Sequence, residues 1–333
     1  MRLDVHTHGK LAKKLPFSTT YTDWLFGEAR RAGLDALCLT EHFNTLQFGD
    51  LYRYLTAVSR RVGDCLELAN GLRIFPGMET DVAEGGHILS IGPLEAILEL
   101  NRRLEPHKEK ETFLPLADLL DLLEQYPVLV GCAHPFRAPG RVPEQPMEQL
   151  RRFHFLDLNG KDMAQDRART QRLTQALGKQ LAIPVVAGSD THQAVQYGCI
   201  STVFARGCAT VSELWGEMQA GRYTIEVADQ APFQVRAACL LKRALKEIHA
   251  LGGDYVAVLT GPEKDQEHGP SYAERIAIHH KAVMVEYAPK AGAMAEALET
   301  AANEMALQGW ELVSSTVTPA AKGILLFRKR GSE

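Results

Sequence analysis

The sequence predicts an α/β protein, a distorted TIM-like (β/α)7 barrel followed by a small α+β domain. Strand-like apolar runs alternate with helix-like runs up to about residue 205, which is typical of parallel strands joined by helices. Seven or eight such units favour closure into a barrel. The pattern changes after about residue 230, so we predict a barrel domain over residues 1–230 and a second domain over 231–333.

The barrel strands are predicted from short apolar runs, and the helices from longer amphipathic stretches between them. The strands are expected over 2–8, 35–40, 73–79, 87–92, 127–133, 153–159, 183–188 and 199–204. The helices are expected over 22–32, 51–69, 114–125 and 164–180. Thr22 or Asp23 can cap the first helix, and Gly33 can end it. The third and fourth strands leave no room for a helix between them, so the barrel is expected to be irregular there.

The second domain has its own sequence of elements. A helix over 234–250, a strand over 255–259 and a polar loop over 261–275 come first. A strand over 282–287, a helix over 293–307 and strands over 312–317 and 323–328 follow. This mixture predicts a small α+β unit.

Composition excludes several classes of protein. Apolar residues make up 45% of the 333 residues and charged residues 23%, as in ordinary globular proteins. The net charge of −4 gives no basic field for long nucleic acid, which we therefore do not expect as a partner. No apolar run approaches the ~18–20 residues of a membrane span. The first strand leaves no room for a signal peptide, and the scattered cysteines form no CxxC pair, so we expect a cytoplasmic protein.

Metal-binding residue types recur at the edges of the predicted strands. His6 and His8 are two residues apart in the first strand, so their side chains point the same way. Asp190 and His192 repeat this spacing after the seventh strand. The other residues of this kind at strand edges are Glu41, His42, Glu79, His87, His134 and Asn159. Because the carboxyl ends of parallel barrel strands meet at one face, these side chains predict a shared metal site.

The residue types also limit the metal. Neutral imidazoles and carboxylates suit Zn, Mn or Fe, and a bridging carboxylate can hold two divalent ions about 3.5–4 Å apart. The set contains no cysteine, which argues against a closed structural zinc site. Ions held in this way can activate water near neutral pH and neutralise a phosphoryl oxygen.

The order of these motifs resembles the polymerase and histidinol phosphatase (PHP) family over about residues 1–205. The matching segments are "HTH", "TEH", "PGME", "GGH", "AHP" and "GSDTH". The resemblance implies a distorted (β/α)7 barrel that holds two or three divalent ions. It also implies ligand sets, of which the first is His6, His8, Glu79 and Asp190, the second is Glu79, His134 and His87, and the third is His42 and His192.

The loop after the first strand departs from the family pattern. Many members have an Asp or His there, whereas this chain has "GKLAKKLPFS". The third ion is therefore expected to be weak or absent. Lys10, Lys13 or Lys14 could place an ammonium where its charge would lie, or all three could be exposed loop residues.

Other polar residues on the same face are expected to contact substrate. Arg137 in "HPFR" suits bidentate phosphate binding, with a structural ion pair as the alternative. Asn159, Lys161 and Lys13 complete the expected substrate contacts. Asp190, His192 and Arg137 are the expected catalytic residues, with Asp190 or a histidine relaying protons and Arg137 stabilising transition-state charge.

These expectations predict a metal-dependent phosphoesterase that hydrolyses a small phosphomonoester with hydroxide activated by the ions. Histidinol phosphate is one candidate substrate, by analogy with the family alone. The alternatives are a phosphodiesterase or nuclease, and a non-catalytic module that senses a phosphorylated ligand. Residues 280–330, with the core "GWELV", resemble the family called domain of unknown function 4177. Assembly into a homo-oligomer stays open.

Overall fold

Two compact units, Met1–Glu263 and Lys264–Glu333, make up the chain. The structure is a computed structural model, and it describes residues 1–260, 280–285, 291–317 and 323–329. The polar loop predicted over 261–275 lies outside the described residues.

The first unit combines short strands with helices of very different lengths. Its strands are β1 (Arg2–Thr7), β2 (Ala36–His42), β3 (Ser59–Val62), β4 (Cys65–Leu68), β5 (Arg73–Asp81), β6 (His87–Ile91), β7 (Leu129–Ala133), β8 (Phe155–Asp157), β9 (Val185–Val186), β10 (Ile200–Phe204) and β11 (Tyr223–Val227). Its α-helices are α1 (Thr19–Arg31), α2 (Phe48–Val58), α3 (Leu94–Arg103), α4 (Leu116–Leu123), α5 (Met147–Leu150), α6 (Gly160–Gln165), α7 (Arg167–Leu181), α8 (Val211–Gln219), α9 (Ala231–Ala250) and α10 (Tyr255–Thr260).

The strands of this unit form a nearly closed barrel. The main path of the sheet is β11-β10-β1-β2-β5-β6-β7-β8-β9, with the β3–β4 hairpin attached to β5. The segment after β9 approaches β1, where the amide of His8 donates to the carbonyl of Thr191 at 3.0 Å and Thr7 forms a parallel bridge with Thr191. These contacts nearly close the sheet, and the predicted distorted TIM-like barrel is confirmed.

The irregularity predicted between the third and fourth barrel strands is a reversal of chain direction. Strand β6 runs antiparallel to both β5 and β7. Gly85 and Gly86, with φ of 79° and 105°, allow the tight turn that precedes it. In register, His87 pairs with Asp81 on one side and with Ala133 on the other. The reversal therefore brings the start of β6 to the face where β5 and β7 end.

The core lies toward the amino-terminal ends of the parallel strands. Leu3, Phe75, Leu129 and Phe155 are buried in one apolar cluster there. Leu214 of α8 belongs to the same cluster and is fully buried. Apolar packing therefore supports one end of the barrel and leaves the opposite end to polar side chains.

Some predicted elements were wrong for local reasons. The helix predicted over 51–69 ends at Val58, and the β3–β4 hairpin follows, turning at Gly63 with φ of 62°. The strand predicted over 255–259 is helix α10, because the carboxylate of Asp254 accepts the amides of Val256 and Ala257 as a helix cap does.

Two further helix predictions and one strand need correction. Helix α1 is capped by the side chain of Ser18 and not by Thr22 or Asp23. The helix predicted over 164–180 is two helices, α6 and α7, that meet at Asp166, whose side chain caps the second. The sequence reasoning missed β11, an edge strand that pairs with β10. Its side chains alternate between half-buried and exposed.

The second unit is a small α+β structure, as predicted. Its described elements are β12 (His280–Val285), α11 (Ala291–Leu307), β13 (Trp310–Val317) and β14 (Gly323–Lys329). The strands form an antiparallel sheet in the order β12-β14-β13. Met305, Leu325 and Phe327 are buried between helix and sheet, with Trp310 packed against them. Trp310 is therefore part of this core.

Helix α9 belongs to the first unit, although the boundary predicted at residue 230 places it in the second. Ala231 and Val235 pack in one apolar cluster with Leu158, Ala187 and Ile200 of the barrel. The helix therefore covers the barrel beyond β10. Whether residues 1–230 fold as a domain by themselves stays a prediction.

Candidate metal centre

Strand β1 places two imidazoles at the polar end of the barrel. His6 and His8 are fully buried. The amide of Asp190 donates to the carbonyl of His6 at 2.7 Å, which ties the "GSDTH" segment to β1. The two predicted i, i+2 pairs therefore lie side by side.

The carboxylate of Glu79 lies at the middle of the site. Its side chain is 1% exposed and comes from the end of β5. Five imidazoles have a nitrogen within 2.6–3.4 Å of its oxygens, namely those of His87, His42, His134, His6 and His8. Burial alone would raise the pKa of Glu79, but His87, His6 and His42 hold it well below its usual range. The carboxylate is therefore ionised and suited to bridging two ions.

The predicted ligands converge in three groups, two of which share His8, and within each group the ligand atoms lie within 4.8 Å of one another. The groups are His6, His8 and Asp190; Glu79, His87 and His134; and His8, His42 and His192. All eight predicted ligands belong to at least one group, and the third group has no carboxylate of its own. A weak or absent third ion, as expected from the loop sequence, stays a prediction.

Several ligand atoms are buried without a hydrogen-bond partner in the described part of the chain. These atoms are Nε2 of His6, both ring nitrogens of His8, Nδ1 of His42 and Oε2 of Glu79. Unpaired buried polar atoms are costly and rare in folded proteins. Their concentration at one point is expected for a site that binds divalent ions, so the residues present fit such ions.

Hydrogen bonds on the far side of the rings orient the ligands. Nδ1 of His6 lies 2.9 Å from a carboxylate oxygen of Asp157, and Nδ1 of His192 lies 2.9 Å from the carbonyl of Lys10. In both rings Nδ1 is thereby assigned as the protonated nitrogen, and Nε2 keeps its lone pair for an ion.

The backbone is strained at two ligands. His134 has φ of 29° and Asp190 has φ of 56°, in the left-handed region that residues other than glycine rarely adopt. Such conformations cost about 1–3 kcal/mol each and cluster at functional sites. These backbone conformations orient both side chains towards Glu79 and β1.

Two cations hold the carboxylate of Asp190. Nη1 of Arg137 lies 2.7 Å from one oxygen, and Nζ of Lys161 lies 2.8 Å from the other. Burial alone would raise the pKa of Asp190, but Lys161 and Arg137 hold it well below its usual range. Asp190 is therefore ionised, which suits a metal ligand better than a proton donor.

Arg137 is fixed by three side chains. Besides Asp190, its Nε donates to Asp162 at 2.9 Å and its Nη2 donates to Asn159 at 2.7 Å. The amide nitrogen of Asn159 donates in turn to Asp157 at 2.9 Å. Asn159 is fully buried, and these contacts let it position Arg137, while the substrate contact predicted for it stays a prediction.

The sequence reasoning missed Asp81, which lies beside His87. One of its oxygens is 3.1 Å from Nε2 of His87, and the other is 3.7 Å from Nζ of Lys13. Burial lowers the pKa of His87, but Glu79 and Asp81 outweigh it and raise the value to about 10. The i, i+2 spacing of Glu79 and Asp81 in "METD" was the available signal.

The lysines of "GKLAKK" lie in different surroundings. Lys13 is partly exposed beside Asp81, at the edge of the predicted site. Lys10 is 2% exposed and donates to the carbonyl of Leu46, so it is a buried structural residue. Neither ammonium contacts the group formed by His8, His42 and His192.

A cavity of about 410 Å³ adjoins the centre on the His134 side. His134, Phe136 and Arg137 form one wall, and residues of α6 and α7 form the other. The hydroxyl of Thr174, buried in the second wall, has no hydrogen-bond partner among the described residues. The cavity therefore combines an apolar surface with free polar groups next to the predicted ligands.

Comparisons with known proteins give the fold. No protein-family model and no curated protein matches the chain. Among solved structures, PsfC from Pseudomonas syringae PB-5123 matches with a TM-score of 0.59 and 23% identity over 73% of this chain and 98% of that chain. The lesion-specific endonuclease PfuEndoQ from Pyrococcus furiosus matches with a TM-score of 0.51 and 17% identity over 67% of this chain.

The present chain spans 57% of the length of PfuEndoQ. A structure of Endonuclease Q with a 27-mer duplex substrate carrying an abasic lesion matches equally, with a TM-score of 0.51. At these identities the shared feature is the fold. The resemblance of residues 280–330 to domain of unknown function 4177 stays a prediction.

Proposed function

We propose that this protein is a metal-dependent phosphoesterase that hydrolyses a small phosphomonoester. The observation that carries the proposal is the buried carboxylate of Glu79, surrounded by five imidazoles within 3.4 Å. Buried imidazoles and carboxylates in overlapping groups suit two or three divalent ions of Zn, Mn or Fe. Bound ions would supply an activated water and neutralise charge on a phosphoryl group.

Arg137 is the residue proposed to bind the phosphoryl group. A guanidinium has five N–H donors, and protein side chains accept three of them here. The remaining donors are available to a phosphoryl oxygen, and the rigid anchoring by Asp162 and Asn159 keeps them in place as charge develops. Lys161, which contacts Asp190, adds a second positive charge on the same side.

Where the third group holds no ion, His192 is proposed to accept or relay a proton at Nε2. Burial, with the neighbouring His8, holds the pKa of His192 well below its usual range, so the ring is neutral. The carbonyl of Lys10 faces Nδ1 at 2.9 Å, which leaves the lone pair on Nε2. Asp190 is proposed as a ligand, because two cations keep it ionised.

A small leaving group fits the surroundings better than a long polymer. The cavity beside His134 has about 410 Å³, in the range of sites for small molecules. The net charge of −4 provides no general attraction for nucleic acid. The shared fold with a lesion-specific endonuclease nevertheless makes a nuclease the main competing proposal.

Turnover with a panel of substrates tests the proposal. The chain, loaded with Mn²⁺ or Zn²⁺, would be assayed with phosphorylated metabolites including histidinol phosphate, with bis(4-nitrophenyl) phosphate, and with a duplex containing an abasic site. We expect release of inorganic phosphate from at least one monoester. Cleavage of only the diester or the duplex would favour the nuclease, and binding without turnover of any substrate would favour the sensing module.

A further inference from the structure

Lys242 occupies an unusual position on helix α9. The buried residues of this helix, Ala231, Val235, Ala238 and Leu245, are spaced four, three and seven positions apart, as on one helix face, and the first two pack on the barrel. Lys242 falls in the same series, one turn after Ala238 and just before Leu245. A lysine at such a position directs its side chain towards the barrel instead of towards solvent.

The neighbours of α9 place this lysine on the side of the barrel that carries the metal centre. Helix α9 packs against α6, which carries Lys161, and against the short helical turn Ala194–Gln196, which follows His192. The ammonium of Lys242 interacts electrostatically with Lys161, Asp190 and Glu41, and it also acts on the ring of His192. Its side chain is therefore part of the polar end of the barrel.

Lys242 has no hydrogen bond or salt bridge among the residues that the structure describes. By contrast, Lys161 and Arg137 both contact Asp190, at 2.8 and 2.7 Å. Burial, together with the positive charge of Lys161, lowers the pKa of Lys242 to about 8. A partly buried cation that faces another cation is costly unless an anion joins the two.

We propose that Lys242 and Lys161 form a subsite for a second anionic group of the substrate, beside the phosphoryl group that is hydrolysed. This inference rests on the proposed function and narrows its substrate class to small phosphomonoesters whose leaving group carries a further phosphate or carboxylate. Arg137 and the ions serve the first phosphoryl group, and the unpaired ammonium of Lys242 is left for the second anion.

Binding of paired probes to the metal-loaded protein tests the subsite without turnover. The pairs are pyrophosphate against orthophosphate, 3-phosphoglycerate against glycerol 3-phosphate, and fructose 1,6-bisphosphate against fructose 6-phosphate. Calorimetry would give each Kd, with metal content checked after each titration. We expect at least one probe with two anionic groups to bind about 10–100-fold more tightly than its partner, as a charged hydrogen bond provides.

The variants identify the residue responsible. Lys242→Met should remove that advantage and leave the affinity for the single-anion probe within about threefold. Lys242→Arg should restore much of the advantage, because it keeps the charge. Lys246→Met is the matched control, since Lys246 is exposed one turn further along the same helix.

Three outcomes would overturn the inference. These are no advantage for any two-anion probe in the unsubstituted protein, an advantage that survives Lys242→Met, and an equal loss for both members of a pair. A phosphatase that shows one of these results would keep the proposed function and lose the subsite. A protein that binds the two-anion probes through Lys242 without hydrolysing any ester would keep the subsite and lose the proposed function.

Discussion

At the residue scale, the centre depends on side chains that lack partners in the fold itself. Nε2 of His6 and both ring nitrogens of His8 are buried without hydrogen bonds in the described chain. Glu79 compensates part of this cost through its contacts with the surrounding imidazoles. Binding of divalent ions would remove the remaining free-energy cost of these unpaired atoms. Loss of a ligand should therefore lower activity and metal content together.

Replacing His6 or Asp190 by alanine should each reduce phosphatase activity about a thousandfold or more. Both belong to the group formed with His8, and losing one ligand removes several kcal/mol of charge stabilisation. Steady-state assays with matched metal analysis check this. His154→Ala is the control, because Nδ1 of His154 accepts the amide of Val130 at 3.1 Å, away from the centre. An equal loss in all three variants would contradict this assignment of ligands.

The ion bound by His8, His42 and His192 should be released before the ions of the other two ligand groups. His8, His42 and His192 supply only neutral imidazoles, whereas each of the other groups includes a carboxylate. A divalent ion bound by neutral ligands gains less compensation for its lost hydration. Stepwise chelation, followed by elemental analysis, should remove one ion before the others. Simultaneous loss of all ions would show that the third group binds none by itself.

Because the loop sequence lacks an acid near the third ligand group, it predicts that Lys13→Asp would tighten the binding of the third ion. Lys13 lies 3.7 Å from Asp81, beside His87, and not beside His192. A carboxylate at this position would face Asp81 and not the imidazole group that lacks one. The tightening of the third ion expected from the sequence therefore has no support in the geometry.

At the element scale, close packing of the segment after β9 against β1 sets the geometry of the site. A Cβ at Gly188 would lie 2.4 Å from Cβ of His6 and 2.7 Å from its backbone nitrogen. Only glycine allows this approach, and the approach permits the hydrogen bond between Asp190 and His6. The two ligand segments are thus joined by backbone contact.

Gly188→Ala should destabilise the protein by about 2–4 kcal/mol and lower its metal content, because β1 and the following ligands must move apart. Denaturant unfolding and elemental analysis measure both effects. Gly216→Ala is the matched control, since a Cβ there would meet nothing within 4 Å on helix α8. The control should be neutral or stabilising by up to about 1 kcal/mol. Wild-type metal binding in Gly188→Ala would show that the contact is not required.

At the scale of the whole molecule, helix α9 packs on the barrel on the side of the metal centre. Its buried face covers Leu158 and Ile200, and its Lys242 interacts with Asp190. The packing of the barrel therefore extends beyond residue 230. Within the described residues no helix is long and apolar enough to cross a membrane.

A chain ending at Glu263 should fold and bind metal, because it retains the whole first unit. A chain ending at residue 230 should lose stability, since Leu158, Ala187 and Ile200 would lose the cover of Ala231 and Val235. Thermal melts and metal analysis of the two chains provide the comparison. Equal stability and metal content would support the boundary predicted from the sequence.

The sequence by itself determined the fold class and the identity of the predicted ligands. Alternating apolar runs require parallel strands, and strand ends of a barrel meet at one face. The spacing of His6 and His8 is a local property of extended chain, whereas Asp190 and His192 share that spacing in a segment where Asp190 has φ of 56°. The positions at strand edges need only the neighbouring residues, and the choice of the eight ligands that converge in the structure came from the resemblance to the PHP family.

Tertiary structure decided what depends on contacts between distant segments. The antiparallel course of β6 brings His87 against Asp81, and docking of α9 brings Lys242 towards Asp190. The side chain of Asn159 supports Arg137, a contact between two loops that no local pattern encodes. Spacing along the chain reports which side chains share a strand or helix face, whereas register and docking depend on packing summed over the whole barrel.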